Sequence, residues 1–141
     1  LLEYASSVWD PCCEKVISAI ELVQNNSVRF INSNYSRTES ITAMNSDLQL
    51  PLLSSCRKIS RLVLFHKLYH HSTLSNEFIL RPHSLSHRID HHHKVGIDRS
   101  NTYTFLQSFV PRTSTEWNHL RANIVTINDI SLFLSALVSI I

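Results

Sequence analysis

Two histidines four residues apart, His66 and His70, are the first candidates for chemistry in this sequence. On a helix that spacing places both imidazoles on one side, as in many zinc sites. His91, His92 and His93, preceded by Asp90, follow later in the chain. The pattern stops short of a ligand set. No glutamate follows His66 in the His-Glu-x-x-His manner, and Cys12 and Cys13 are adjacent instead of being separated by two residues. His66 also falls on an apolar face, where a packed and hydrogen-bonded imidazole is commoner. No residue is therefore assigned as a metal ligand.

Nucleophilic catalysis needs a Ser or Cys beside a His that a third group orients. Such residue types are plentiful here, yet the glycines that shape a nucleophile elbow are missing. Two-metal phosphoryl chemistry needs clustered carboxylates. Asp10, Asp47, Asp90, Asp98 and Asp129 are instead scattered singly. No catalytic residue is assigned, and the chain is not expected to be an enzyme by itself.

Basic residues offer a different chemistry. Arg57, Lys58 and Arg61 cluster near the start of an apolar helical stretch, Lys67 lies further along it, and Arg112 follows Pro111. Such side chains neutralise phosphates with a salt-dependent contribution. Tyr103 and Trp117 are the aromatics that could stack on bases, although Trp117 fits better as a core residue. The charge distribution agrees in sign: residues 1–50 carry a net charge of −3 and residues 51–121 carry +6. That excess permits a polyanionic partner without requiring one.

The elements that must position these residues are helical. Average usage of about 7% glycine would give roughly ten in this length, yet Gly96 is the only glycine among 141 residues. Phosphate-cradling loops and tight hairpins both need glycine. P-loop, dinucleotide-binding and glycine-turned sandwich folds are therefore disfavoured. The expected fold is mainly α: a small domain of four to six helices with an irregular, partly extended segment near 72–110. A helical part at 1–71 precedes that segment, and C-terminal helices at 111–141 follow it.

Within that frame, Leu2 to Trp9 reads as the last turns of a helix stopped by Asp10-Pro11. A helix at 13–31 has Val16, Ala19, Ile20, Val23, Ser27, Phe30 and Ile31 on one face, the kind that packs on a core. Glu14, Glu21, Asn25 and Arg29 face the other way. A short helix through Ile41, Met44 and Leu48 is capped by Thr38 or Ser40. Pro51 opens a helix at 52–71 that is apolar nearly all round, hence central. The remaining helices begin near Pro111 to Thr115 and at about 130. The apolar run Ile130 to Ile141 is short of the roughly 20 residues a membrane span needs. Three cysteines, two of them adjacent, suggest a reducing compartment. No secretory signal is visible at the N-terminus. The expected location is intracellular, cytoplasmic or nuclear. With its one methionine internal, the chain reads as a piece of a longer protein.

Four strings occur in order: LEYASSVWDP (Leu2 to Pro11), NYSRTES (Asn34 to Ser40), RKISRLVLFHKLYHH (Arg57 to His71) and SFVPRTSTEWNHL (Ser108 to Leu120). Together they resemble the region after the polymerase core in reverse transcriptases of non-LTR retrotransposons, the jockey-like LINE elements. The resemblance covers nearly the whole chain. It implies a C-terminal, thumb-side extension of an RNA-directed DNA polymerase. The catalytic aspartates of that enzyme, and the Mg that they would hold, belong to the part upstream. The implied partners are that upstream polymerase domain and RNA or DNA, with no cofactor of this chain's own, no membrane and no small-molecule substrate. Where the family carries a basic pair, this chain has Asn25-Asn26; where it carries Gly-Trp, this chain has Gln49-Leu50. Arg121 stands where a proline is usual. The expected role is structural support with backbone contact through Arg57, Lys58, Arg61, Lys67 and Arg112. The alternative is a stand-alone helical interaction module that buries its apolar C-terminal helix on a partner, or a decayed remnant.

Overall fold

A computed structural model describes residues 5–36, 38–86 and 90–141, without the side chains of Val8 and Trp9. These residues are mainly helical, with no strand among them. The helices are α1 (Ser6–Trp9), α2 (Glu14–Ile31), α3 (Ile41–Asp47), α4 (Leu53–His70), α5 (Ser72–Phe78), α6 (Tyr103–Leu106), α7 (Phe109–Asn118), α8 (Ala122–Val125) and α9 (Ile130–Val138). This exceeds the four to six expected. The additional elements are one or two turns long, too short for hydrophobic periodicity to mark. Two of them, α5 and α6, fall inside the segment expected to be irregular. The expected helix start at Leu2, and Arg37 of the second string, lie outside the described residues.

The chain divides into two units, 1–57 and 58–141. The boundary falls within α4, which runs on to His70.

In the first unit α2 packs on α3, and Val28, Met44 and Leu53 are buried. The orientation of α2 reverses the expectation. Its polar line faces inward: Glu21 accepts from the Ser54 N–H at 3.1 Å, and Gln24 donates to the Pro51 carbonyl at 3.1 Å. The apolar line faces solvent, with Val23 52% and Phe30 73% exposed. Polar anchoring explains the reversal. Glu21 satisfies an otherwise orphaned N–H in the first turn of α4 and also reaches Arg57 at 3.2 Å. Turning the helix over would break both contacts.

Both long turns of this unit use a left-handed residue without glycine. After α2, Ser33 has φ 49°, and the Ser33 and Asn34 N–H groups donate to the Phe30 and Arg29 carbonyls. After α3, Gln49 has φ 53°, and the Gln49 and Leu50 N–H groups donate to Ser46 and Asn45. These are paired Schellman closures, which normally favour glycine at the left-handed position.

In the second unit the core gathers Leu62, Phe65, Val95, Trp117, Ile124, Val125, Phe133 and Leu137. Trp117 is fully buried, its ring 5.3 Å from Phe65 and 5.1 Å from Tyr69. Pro111 sits in the first turn of α7, where its missing N–H leaves no helical bond unmade. α7 therefore starts at Phe109, slightly before the expected 111–115. Asn118 clamps the extended stretch before α6, accepting from the Val95 N–H and donating to the Val95 carbonyl, both at 2.9 Å. Trp117 Nε1 donates to the His93 carbonyl at 2.9 Å. α9 is capped by Asp129, whose carboxylate accepts from the Leu132 N–H.

Candidate nucleic-acid interface

The basic residues expected to meet phosphate divide into two groups. Arg57 is 2% exposed: its Nε lies 3.0 Å from Asp10 and its Nη2 lies 3.2 Å from Glu21, all in the first unit. Arg61 is 3% exposed and forks onto Glu116, with Nη2 to Oε1 at 2.7 Å and Nε to Oε2 at 3.4 Å. A buried guanidinium held by carboxylates cannot also reach a phosphate in solvent. Arg57 and Arg61 are thus corrected from candidate nucleic-acid contacts to internal ion-pair residues. Burial pushes the Arg61 guanidinium down from its usual pKa, while Glu116 acts in the opposite sense.

Lys67 is exposed and Lys58 half-buried, and neither makes an ion pair among the described residues. Nine residues apart at about 100° per residue, they point to opposite sides of α4. Arg112 is half-buried, 3.9 Å from Glu116. The five residues do not form one basic patch. Trp117, being fully buried, offers no stacking surface, whereas Tyr103 is exposed. Arg121, not among the expected phosphate contacts, lines a cleft of about 690 Å³ together with Lys94 and His119. Lys94 is already 2.8 Å from Asp90, and this ammonium, followed by the Ser86 N–H, holds the Asp90 carboxyl below its usual range.

His66, His70, His91 and His93 make ring or hydrogen-bond contacts inside the second unit. His66 is buried, stacked on Phe133 with ring centroids 4.2 Å apart, and its Nε2 lies 2.6 Å from the Ile127 carbonyl. A carbonyl only accepts, so Nε2 carries a proton; Nδ1 is buried with no hydrogen-bond partner among the described residues. His70 packs 4.4 Å from His66; burial first, then the neighbouring His66 and His93, push its pKa down. His93 Nδ1 meets the Tyr69 hydroxyl at 3.1 Å, and His91 Nε2 lies 3.4 Å from the Trp117 carbonyl. Among the described residues no group of three or more His, Cys, Asp or Glu side chains is arranged to hold a metal ion. Cys12, Cys13 and Cys56 form no disulfide among the described residues. No helix among the described residues is long and apolar enough to cross a membrane.

Sequence reasoning missed Asp10, Glu21 and Glu116 as partners of the arginines. The signal was available: an arginine within an apolar helix needs a carboxylate when buried. What the sequence lacked was the pairing. No protein-family model, curated protein or solved structure matches the chain.

Proposed function

We propose that the chain is the C-terminal, post-polymerase part of a non-LTR retrotransposon reverse transcriptase, acting as a non-catalytic helical support for the polymerase. The observation that carries this reading is the outward apolar face of α2. Val16, Leu22, Val23, Phe30 and Ile31 are all exposed on an 18-residue helix whose polar side is anchored inward. Their exposed surface is roughly 500 Å², so covering it would bury about 1,000 Å² over both partners, within the 600–1,500 Å² typical of inter-domain contacts. An upstream domain of the same protein is the occupant that the four strings imply.

Further support comes from what the strings do. Asp10 of the first pairs with Arg57 of the third, and Arg61 of the third pairs with Glu116 of the fourth. Their charged residues hold helices together, which suits support better than catalysis. Phosphate contact is then left to Lys58 and Lys67, since Arg112 lies beside Glu116. No catalytic residue, metal or cofactor is assigned to this chain.

The deciding experiment joins the chain to the frame read upstream in the same transcript and follows hydrogen exchange. The expected result is an upstream polymerase with paired aspartates, together with slower exchange along α2 in the joined protein. An upstream frame without a polymerase, or unchanged exchange in α2, overturns this function. A salt-sensitive gel shift with a primer–template duplex, weakened by Lys67→Glu, is expected of the backbone contact.

The alternative, a stand-alone helical interaction module, is favoured by α9. Phe133 and Leu137 are buried, but Leu132 is 63% exposed and Val138 is exposed as well. Size-exclusion chromatography separates the readings at this helix: concentration-dependent self-association removed by Leu132→Glu favours the module.

A further inference from the structure

Within the second unit, α5, α6, α7 and the stretch linking α5 to α6 line an open cavity of about 440 Å³. Phe78 closes the end of α5, Phe105 comes from α6, and Phe109 and Pro111 come from the first turn of α7. The remaining wall is fixed by the one glycine. The Gly96 N–H donates to the Leu80 carbonyl at 2.7 Å. A Cβ at position 96 would stand 2.6 Å from the Arg81 carbonyl oxygen and 2.9 Å from Leu80 Cβ. The two stretches therefore run closer than any other residue would allow. Phe78, Leu80 and Phe105 nevertheless stay exposed, an apolar concavity open to water.

Its rim is acidic. Glu77 and Asp98 line the cavity, and no Lys, Arg or His among the described residues does. Elsewhere in this unit Asp90 meets Lys94, Glu116 meets Arg61, and Asp129 caps α9. The carboxylates of Glu77 and Asp98 make neither an ion pair nor a side-chain hydrogen bond among the described residues. Among the described residues of this unit, the acidic side chains lacking an internal partner are thus the two at this cavity.

We propose that this groove docks a partner segment with a leucine or phenylalanine anchor flanked by lysine or arginine. The volume lies within the roughly 300–1,000 Å³ of ligand clefts and accepts an apolar side chain. The unpaired carboxylates then find cations at the rim, which selects against acidic partners. A second copy fits poorly, because a two-fold contact at this face would set Glu77 and Asp98 against themselves. Nucleic acid is repelled for the same reason. The groove is independent of the chain's place in a polymerase, and its test needs no upstream domain.

The test is fluorescence anisotropy of the full chain with two labelled eight-residue peptides. One alternates leucine and phenylalanine with lysine, and the other carries glutamate at the lysine positions. The lysine peptide is expected to bind and the glutamate peptide to bind far more weakly. The double variant Glu77→Lys/Asp98→Lys should reverse that order, weakening the lysine peptide about fivefold to tenfold, as two exposed charge pairs allow. Phe105→Asp, at an exposed position, should remove binding of both peptides while helical circular dichroism stays unchanged. Equal binding of both peptides, or no response to the charge reversal, overturns the assignment. Concentration-dependent dimerisation abolished by Phe105→Asp also overturns it, making a second copy the occupant.

Discussion

Arg61 and Glu116 illustrate how a residue's role depends on a partner 55 positions away in the chain. Read in sequence, Arg61 belongs with Arg57 and Lys58 in a basic cluster. In the fold it points into the second unit and is closed off by a forked carboxylate. Glu116→Gln would leave that guanidinium buried with a neutral partner. The expected loss is about 2–3 kcal/mol in urea unfolding, less than for a wholly buried pair because Glu116 keeps some exposure. A change below about 0.5 kcal/mol would mean that water already compensates Arg61. At this scale the sequence disclosed which residues are chemically unusual, including Trp117 as core. It could not disclose the pairing, since whether Arg57 and Arg61 meet phosphate or carboxylate is decided by contacts distant in sequence.

For the elements, the long helices were legible because their apolar residues recur at helical spacing. The one-turn helices were not, since four residues hold too little pattern. α2 is the instructive case: its apolar face was recognised, but its direction was not. Periodicity says that a helix has two faces and that one packs; Glu21 and Gln24 decide which one packs inside this unit. Substitutions on the two faces should therefore invert the usual ranking. Val23→Glu is expected to move the stability of the isolated chain by less than about 0.5 kcal/mol, while Val28→Ala costs about 2 kcal/mol. Thermal unfolding of both variants checks this, and a larger loss from Val23→Glu would place that side chain in a core. The helix ends carry a second prediction. Ser33 and Gln49 hold left-handed backbone that glycine adopts without a Cβ penalty. Gln49→Gly should stabilise the chain by about 0.5–1 kcal/mol, measured by its denaturation midpoint, despite the added freedom of the unfolded chain.

For the whole molecule, glycine scarcity pointed to a mainly helical chain, and the described residues are mainly helical. Two units did not follow from composition, because the division falls inside a continuous helix with no linker to mark it. The candidate interface was the least legible level. Charge counted along the chain says nothing about which cations are already neutralised inside it. The groove beside α5 escaped notice because its walls come from three separate segments. The approach between positions 80–81 and 96 has a genetic consequence. A Cβ at 96 would meet backbone instead of a flexible side chain, so every amino-acid replacement there collides in the same way. Among related coding sequences, third-base changes in that codon are expected to accumulate freely wherever the fold is maintained, and changes at its first two bases to be purged. Sequences drifting without constraint would vary at all three bases alike. Counting substitutions at that single codon therefore reports whether natural selection still acts on the folded protein.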